Sequence, residues 1–130
     1  MKIGFIGLGN VGGKLASSLL RNKFELTVRD LDKNLTNEFL IKGAKVAKTN
    51  KELAEKVDLV ITCLPSPKVC AEVMEAEDGI INGLSKNKIW LEMSTTDESE
   101  IKRLGKLVEE KSAVPLDGPV SGGCHRAATG

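Results

Sequence analysis

The spacing of apolar and polar positions changes repeatedly along the chain. Lys2-Ile-Gly-Phe-Ile6 is a short β-like run that stops at glycine. From about Asn10 to Arg21 the period lengthens, with Val11, Leu15 and Leu19 at i, i+4 and i+8, the stripe of an amphipathic helix. Glu25 to Arg29 (ELTVR) predicts a second strand. Leu35 and Phe39 mark a short helix that stops at Gly43, a residue that accepts the left-handed conformation. Lys45-Val-Ala47 is a weak third strand, and Thr49 with Glu52 has capping-box spacing for a helix to about Lys56. Asp58 to Thr62 (DLVIT) is a continuous apolar run, as in a parallel strand buried on both faces. Ser66-Pro67 reads as an N-cap followed by proline at the first helical position, opening a helix lined by Val69, Val73 and Met74. Lys88 to Glu92 (KIWLE) predicts a strand. Thr95 and Glu98 form a second capping box, before a helix carrying Ile101, Leu104 and Val108. Ala113 to Leu116 is the last strand expected, running into Asp117-Gly-Pro-Val-Ser-Gly-Gly123.

Strands alternating with helices over short connections predict an α/β fold with a doubly wound, mostly parallel sheet and right-handed crossovers. Residues 1–130 form one domain, with no internal repeat, low-complexity segment or linker. A chain of this length buries about two-thirds of its surface on folding, enough for a core without disulfides.

Composition narrows the function. Hydrophobic residues make up 41% and charged residues 28%, which argues against disorder. The net charge of +1 carries no electrostatic footprint for nucleic acid or an anionic membrane. The aromatics are Phe5, Phe24, Phe39 and Trp90, poor material for stacking on bases. No apolar run reaches the ~18 residues of a membrane span, and no signal peptide is apparent. Three cysteines without a CxxC pair suggest neither a disulfide framework nor a zinc site, so a reducing, cytoplasmic setting is expected. Of the 13 glycines, four cluster at Gly7 to Gly13 and two at Gly122-Gly123, as where backbone approaches a ligand.

Gly7-Leu8-Gly9-Asn10-Val11-Gly12 is G-x-G-x-x-G between a strand and a helix, the setting of the dinucleotide fingerprint. Gly7 serves the tight turn, Gly9 the approach to a pyrophosphate, and Gly12 the packing of helix on sheet. Backbone N–H groups around Asn10 and Val11 then face phosphate at the positive end of the helix dipole. The bland alternative is a glycine-rich turn without a ligand. The fingerprint's acid, about 20 residues further on, is Asp30. Its carboxylate suits the ribose hydroxyls and repels a 2′-phosphate, favouring NAD over NADP. Two alternatives stay open: Asp30 caps the next helix, although Asp32 could do so, and Arg29 accommodates a 2′-phosphate.

Ligands of open α/β sheets bind beyond the carboxyl ends of the strands. Cys63-Leu64-Pro65, Ser94-Thr95 and Ser121-Gly122-Gly123 fall there, beside Gly7 and Asp30. Thr95 competes as a helix N-cap. Cys63 reads as a small buried residue rather than a nucleophile. Cys124 and the single histidine, His125, are neighbours, but no second ligand cluster supports a metal, and no G-x-S-x-G elbow supports a serine nucleophile.

These segments together resemble the β-hydroxyacid dehydrogenase family. The carrying residues are Gly4-Phe-Ile-Gly-Leu-Gly-Asn-Val-Gly12, Thr62-Cys-Leu-Pro65, Glu92-Met-Ser-Thr-Thr96 and Asp117-Gly-Pro-Val-Ser-Gly-Gly123. The resemblance implies a Rossmann-type N-terminal domain followed by an all-helical one. It also implies oxidation of a small β-hydroxyacid, such as 3-hydroxyisobutyrate, with NAD(P). By position, Cys63, Leu64 and Pro65 would contact cofactor, Thr95 would lie near the nicotinamide, and Ser121, Gly122 and Gly123 would bind the substrate carboxylate. The family's catalytic lysine, in a G-x-x-x-K-x-x-x-N helix, is expected beyond Gly130, since Lys102 and Lys106 sit in the wrong helix. The chain is thus expected to be a truncated and inactive piece of a homo-oligomeric enzyme. Alternatives are an NADP-dependent semialdehyde reductase, a 6-phosphogluconate dehydrogenase-like enzyme, or a non-catalytic nucleotide-binding module.

Overall fold

The computed structural model describes residues 1–94 and 97–118. Within them six strands form one sheet: β1 (Lys2–Ile6), β2 (Glu25–Arg29), β3 (Lys45–Val46), β4 (Leu59–Thr62), β5 (Ile89–Glu92) and β6 (Val114–Asp117). The strand order is β3-β2-β1-β4-β5-β6 and every pairing is parallel, so the mostly parallel sheet expected is wholly parallel among the described residues. Helices α1 (Asn10–Arg21), α2 (Lys33–Ile41), α3 (Asn50–Lys56), α4 (Pro67–Glu75) and α5 (Glu98–Glu110) occupy the crossovers. This is the Rossmann-type order, with the crevice where the winding reverses between β1 and β4.

Strand alternation divides the core in two. Ile3 and Phe5 of β1 join Leu26, Val28, Ala16 and Phe39 on the face covered by α1 and α2. Ile6 joins Val60, Trp90, Leu53 and Leu104 on the opposite face, covered by α3, α4 and α5. A run such as DLVIT is apolar throughout because its neighbouring residues feed opposite cores: Val60 lies in one, Ile61 in the other.

Helix starts follow local chemistry. Asp32 caps α2 by accepting from Asn34 N at 2.9 Å, and Gly43 past its end has φ +105°. Thr49 caps α3 by accepting from Glu52 N at 3.0 Å, and Ser66 caps α4 by accepting from Val69 N at 3.2 Å. The capping box expected at Thr95 is not the one used. α5 is capped by Asp97, whose carboxylate accepts from Ser99 N at 2.7 Å and Glu100 N at 3.4 Å. A carboxylate there serves two helix N–H groups and meets the positive end of the helix dipole, which a threonine hydroxyl does not. These bonds, led by that from the Ser99 hydroxyl, hold the Asp97 carboxyl below its usual pKa.

Strand limits move by one residue. β4 starts at Leu59, β5 at Ile89 and β6 at Val114, while β3 stops at Val46. Lys88, just before β5, sends Nζ to the carbonyls of Ala54 (2.6 Å) and Glu55 (2.7 Å) in α3. What matters for the site is register. Arg29, Ile6, Thr62, Glu92 and Asp117 pair in one row, so five strands end along a single edge.

Candidate functional site

A cavity of about 850 Å³ opens beyond that row. Its walls come from segments far apart in sequence. The glycine loop contributes Gly7, Gly9, Asn10, Val11 and Gly12, and the end of β2 contributes Arg29, Asp30, Leu31 and Asp32. Cys63, Leu64 and Pro65 follow β4, Val69, Glu72 and Val73 face in from α4, and Met93 and Ser94 follow β5. Leu8 stands apart. Its side chain is buried in the core and its N–H donates to Asp30 Oδ2 at 2.7 Å. Thr95, Ser121, Gly122, Gly123, Cys124 and His125 lie outside the described residues.

The three glycines of the fingerprint differ in what requires them. Gly7 has φ +100°, a conformation that disfavours any side chain. A Cβ on Gly12 would come within 2.0 Å of the Gly7 carbonyl oxygen, so the loop and α1 fit together only without one. Gly9 has φ −68° and a Cβ there would meet nothing within 4 Å. Among the described residues no atom requires glycine at this position, although it borders the cavity. Gly9 is also the N-cap of α1, with no side-chain cap and no acid in the first turn. The other four α-helices are all capped by a side chain. The start of α1 is therefore a bare set of N–H donors with open space beside Gly9, the cradle a pyrophosphate requires.

Beside it, Asp30 accepts from Leu8 N through Oδ2 and from Asp32 N at 2.8 Å through Oδ1. Asp32, not Asp30, caps α2. Arg29 reaches sideways, with Nη1 donating to the Lys48 carbonyl at 2.7 Å while its side chain stays in the cavity wall. Asn50 also borders the cavity. Its Oδ1 is the one buried side-chain oxygen or nitrogen without a hydrogen-bond partner among the described residues.

Sequence reasoning overlooked the polar cluster beneath the cavity. Glu92 is fully buried. Its Oε2 accepts from Thr62 Oγ1 at 2.9 Å and from Cys70 Sγ at 2.8 Å, and its Oε1 accepts from Ser94 N at 2.5 Å. The available signal was the acidic residue closing the apolar run IWLE, directly beside Thr62 in the register. Burial, with the Glu92 charge second, raises the pKa of both Cys63 and Cys70, so neither thiol is activated. Among the described residues no group of three His, Cys, Asp or Glu side chains is placed to hold a metal ion. No helix among them is long and apolar enough to cross a membrane.

Comparison with known proteins agrees with this geometry. Residues 2–130 match the model of the NAD binding domain of 6-phosphogluconate dehydrogenase. Mouse mitochondrial 3-hydroxyisobutyrate dehydrogenase is 40% identical over 128 residues, covering 98% of this chain and 38% of the mouse protein. The crystal structure of 3-hydroxyisobutyrate dehydrogenase from Salmonella typhimurium superposes with TM-score 0.91 at 25% identity, covering 99% of this chain and 45% of that one. The Mycobacterium tuberculosis 3-hydroxyisobutyrate dehydrogenase, in a structure with L-serine, gives TM-score 0.87 at 25% identity, covering 98% and 43%. The chain thus spans less than half the length of each of these relatives.

Proposed function

The chain belongs to the family of NAD-binding domains found in 6-phosphogluconate dehydrogenase, and we propose that it is the cofactor domain of a 3-hydroxyisobutyrate-type dehydrogenase. Gly9 carries this reading. It is a glycine that the protein's own packing does not require, at the uncapped start of α1 on the wall of an 850 Å³ cavity. The residues suit a dinucleotide. N–H groups at the start of α1 would hold the pyrophosphate, and Asp30 would take the ribose hydroxyls on the lone pairs that Leu8 N and Asp32 N leave free. The backbone of Cys63, Leu64 and Pro65 would border the rest of the cofactor, with Thr95 near the nicotinamide.

NAD rather than NADP is the proposed partner. Asp30 and Asp32 both border the cavity, where their carboxylates would repel a 2′-phosphate, and Arg29 is turned to the Lys48 carbonyl. Bound NAD supplies the hydride acceptor. The hydroxyl of Ser121 and the N–H groups of Gly122 and Gly123 would hold the carboxylate of a small β-hydroxyacid, placing its hydroxyl-bearing carbon for hydride transfer. The hydroxyl proton would pass to a lysine contributed by the intact enzyme outside this sequence. Self-association of that enzyme, and a cytoplasmic setting that keeps its thiols reduced, belong to the same proposal.

Titration of the chain with NADH and NADPH, followed by the emission of Trp90 and of the bound nicotinamide, tests it. The expected result is saturable binding of NADH, at least tenfold tighter than NADPH. Equal affinity for both would overturn the NAD assignment, and failure of both to bind would overturn the cofactor reading.

A further inference from the structure

The polar cluster under the cavity has more order than packing alone requires. Trp90 Nε1 donates to Thr62 Oγ1 at 3.0 Å, and the Thr62 hydroxyl donates its one hydrogen bond to Glu92 Oε2. Glu92 Oε1 takes the Ser94 N–H, and Ser94 Oγ in turn accepts from Leu64 N at 2.5 Å. A continuous chain of hydrogen bonds therefore runs from a fully buried indole to the backbone of Leu64. Its far end comprises two loops that both border the cavity, one after β4 and one after β5.

Burying a carboxylate is costly, and here no Lys or Arg side chain compensates it in the hydrogen bonds described. Three donors converge on it instead. An aliphatic side chain at position 92 would fill the volume without the desolvation cost, but it could not hold the Ser94 N–H. Without that bond the Ser94 hydroxyl is not fixed to receive Leu64 N, and the two loops lose their common anchor.

We propose that Glu92 is a positioning residue of the dinucleotide site, acting through Ser94 to fix the Leu64-Pro65 backbone against the cofactor. This rests on the cofactor reading above. Glu92 touches no cofactor itself. Its contribution is to hold a wall of the cavity in its binding geometry before the ligand arrives.

The test uses Glu92→Leu, Glu92→Gln, Ser94→Ala and the double variant Glu92→Leu/Ser94→Ala, each titrated with NADH and unfolded in urea. Losing a buried hydrogen-bond anchor corresponds to about a tenfold rise in Kd for E92L and for S94A. E92Q stays within about threefold of the parent, since its carboxamide oxygen keeps the Ser94 N–H while its NH₂ turns to Thr62 and Cys70. Because the two residues act in series, the double variant binds no worse than about tenfold. Should E92L not fold, S94A alone decides through the indole N–H resonance of Trp90, the only tryptophan. Saturating NADH should shift that resonance in the parent and leave it nearly still in saturated S94A.

A purely structural Glu92 would lower stability yet leave the Kd of folded E92L unchanged, and that result overturns the proposal. Effects that multiply to about a hundredfold in the double variant, or a Trp90 shift that persists in S94A, overturn it as well. These outcomes all presuppose that the parent binds NADH. If it does not, the cofactor reading itself fails.

Discussion

Replacing Gly9 and Gly12 separately by alanine divides the work of the glycine loop between folding and binding. At Gly12 the new Cβ would lie 2.0 Å from the Gly7 carbonyl oxygen, 3.0 Å from the Gly7 carbonyl carbon and 3.3 Å from Phe5 Cε1. Two of these atoms are backbone in a turn already held at φ +100°, so the strain cannot be relieved by a side-chain rotation. Overpacking of this kind costs about 3 kcal/mol, a large share of the stability of a domain this size. At Gly9 the Cβ would meet no atom of the described residues within 4 Å and the backbone is already in an ordinary region. Alanine is a poorer N-cap than glycine but restricts the unfolded chain, and the two effects cancel to within about 1 kcal/mol. With dinucleotide bound, the same methyl would occupy the place of the pyrophosphate. A clash worth about 2 kcal/mol raises Kd roughly thirtyfold. Urea unfolding followed by Trp90 emission, with NADH titration of the same preparations, measures both quantities. G9A should keep its stability and lose NADH, whereas G12A should lose stability first. A G9A variant that binds NADH like the parent would refute the reasoning, as would equal destabilisation by the two substitutions.

Asp30→Ala removes the acceptor for the buried Leu8 N–H as well as the proposed ribose contact. It should lower stability by about 1–2 kcal/mol in urea and narrow the preference for NADH over NADPH in parallel titrations. Asp97→Ala removes the cap of α5 and should cost about 1 kcal/mol in the same unfolding assay. Arg103 joins Glu75 of α4 to Glu100 of α5, and its guanidinium holds both carboxyls below their ordinary value of 4.5. A depressed carboxyl stabilises the fold above its unfolded pKa and ceases to do so as pH falls through the folded one. The stability difference between parent and Arg103→Ala should therefore be present at pH 7 and decline as pH falls through the lowered carboxyl values, below 4.5. A difference that does not fall with acidification would show that Arg103 acts by packing.

Much of the site was legible because the residues that carry it sit at places where the backbone itself imposes the choice. Gly7 and Gly12 are required by the turn and by helix packing, and Asp30 follows a strand whose apolar alternation is plain. One error and one choice left open have the same origin in competing local signals. Thr95 and Glu98 have the spacing of a capping box, yet Asp97, lying between them, caps two N–H groups at once. Asp30 and Asp32 are equally plausible caps by spacing, and only the fold shows Asp32 at the helix start with Asp30 turned back to Leu8. Glu92 was overlooked because a single acid at the end of KIWLE reads as the strand's exposed limit. It is buried because Thr62 of β4 and Cys70 of α4, with Ser94 just beyond its own strand, supply its hydrogen bonds.

Sequence alone determined the alternation of strand and helix and the parallel sheet that follows from it, because these depend on periodicity and on residue types at short spacing; its motifs carried the resemblance to the family. It also located several of the segments that border the cavity, the glycine loop, Asp30, Cys63 to Pro65 and Ser94 among them. Tertiary structure decided what those segments do to one another. Only pairing in register places Arg29, Ile6, Thr62, Glu92 and Asp117 in one row, and only packing separates Gly7 and Gly12, which the described residues require, from Gly9, which borders open space. Hydrogen bonds between residues 28 to 30 positions apart, as from Trp90 to Thr62 and from Leu64 to Ser94, have no periodic trace in the chain. They arise because a parallel sheet brings distant strand ends side by side, where a buried carboxylate must find every donor it needs.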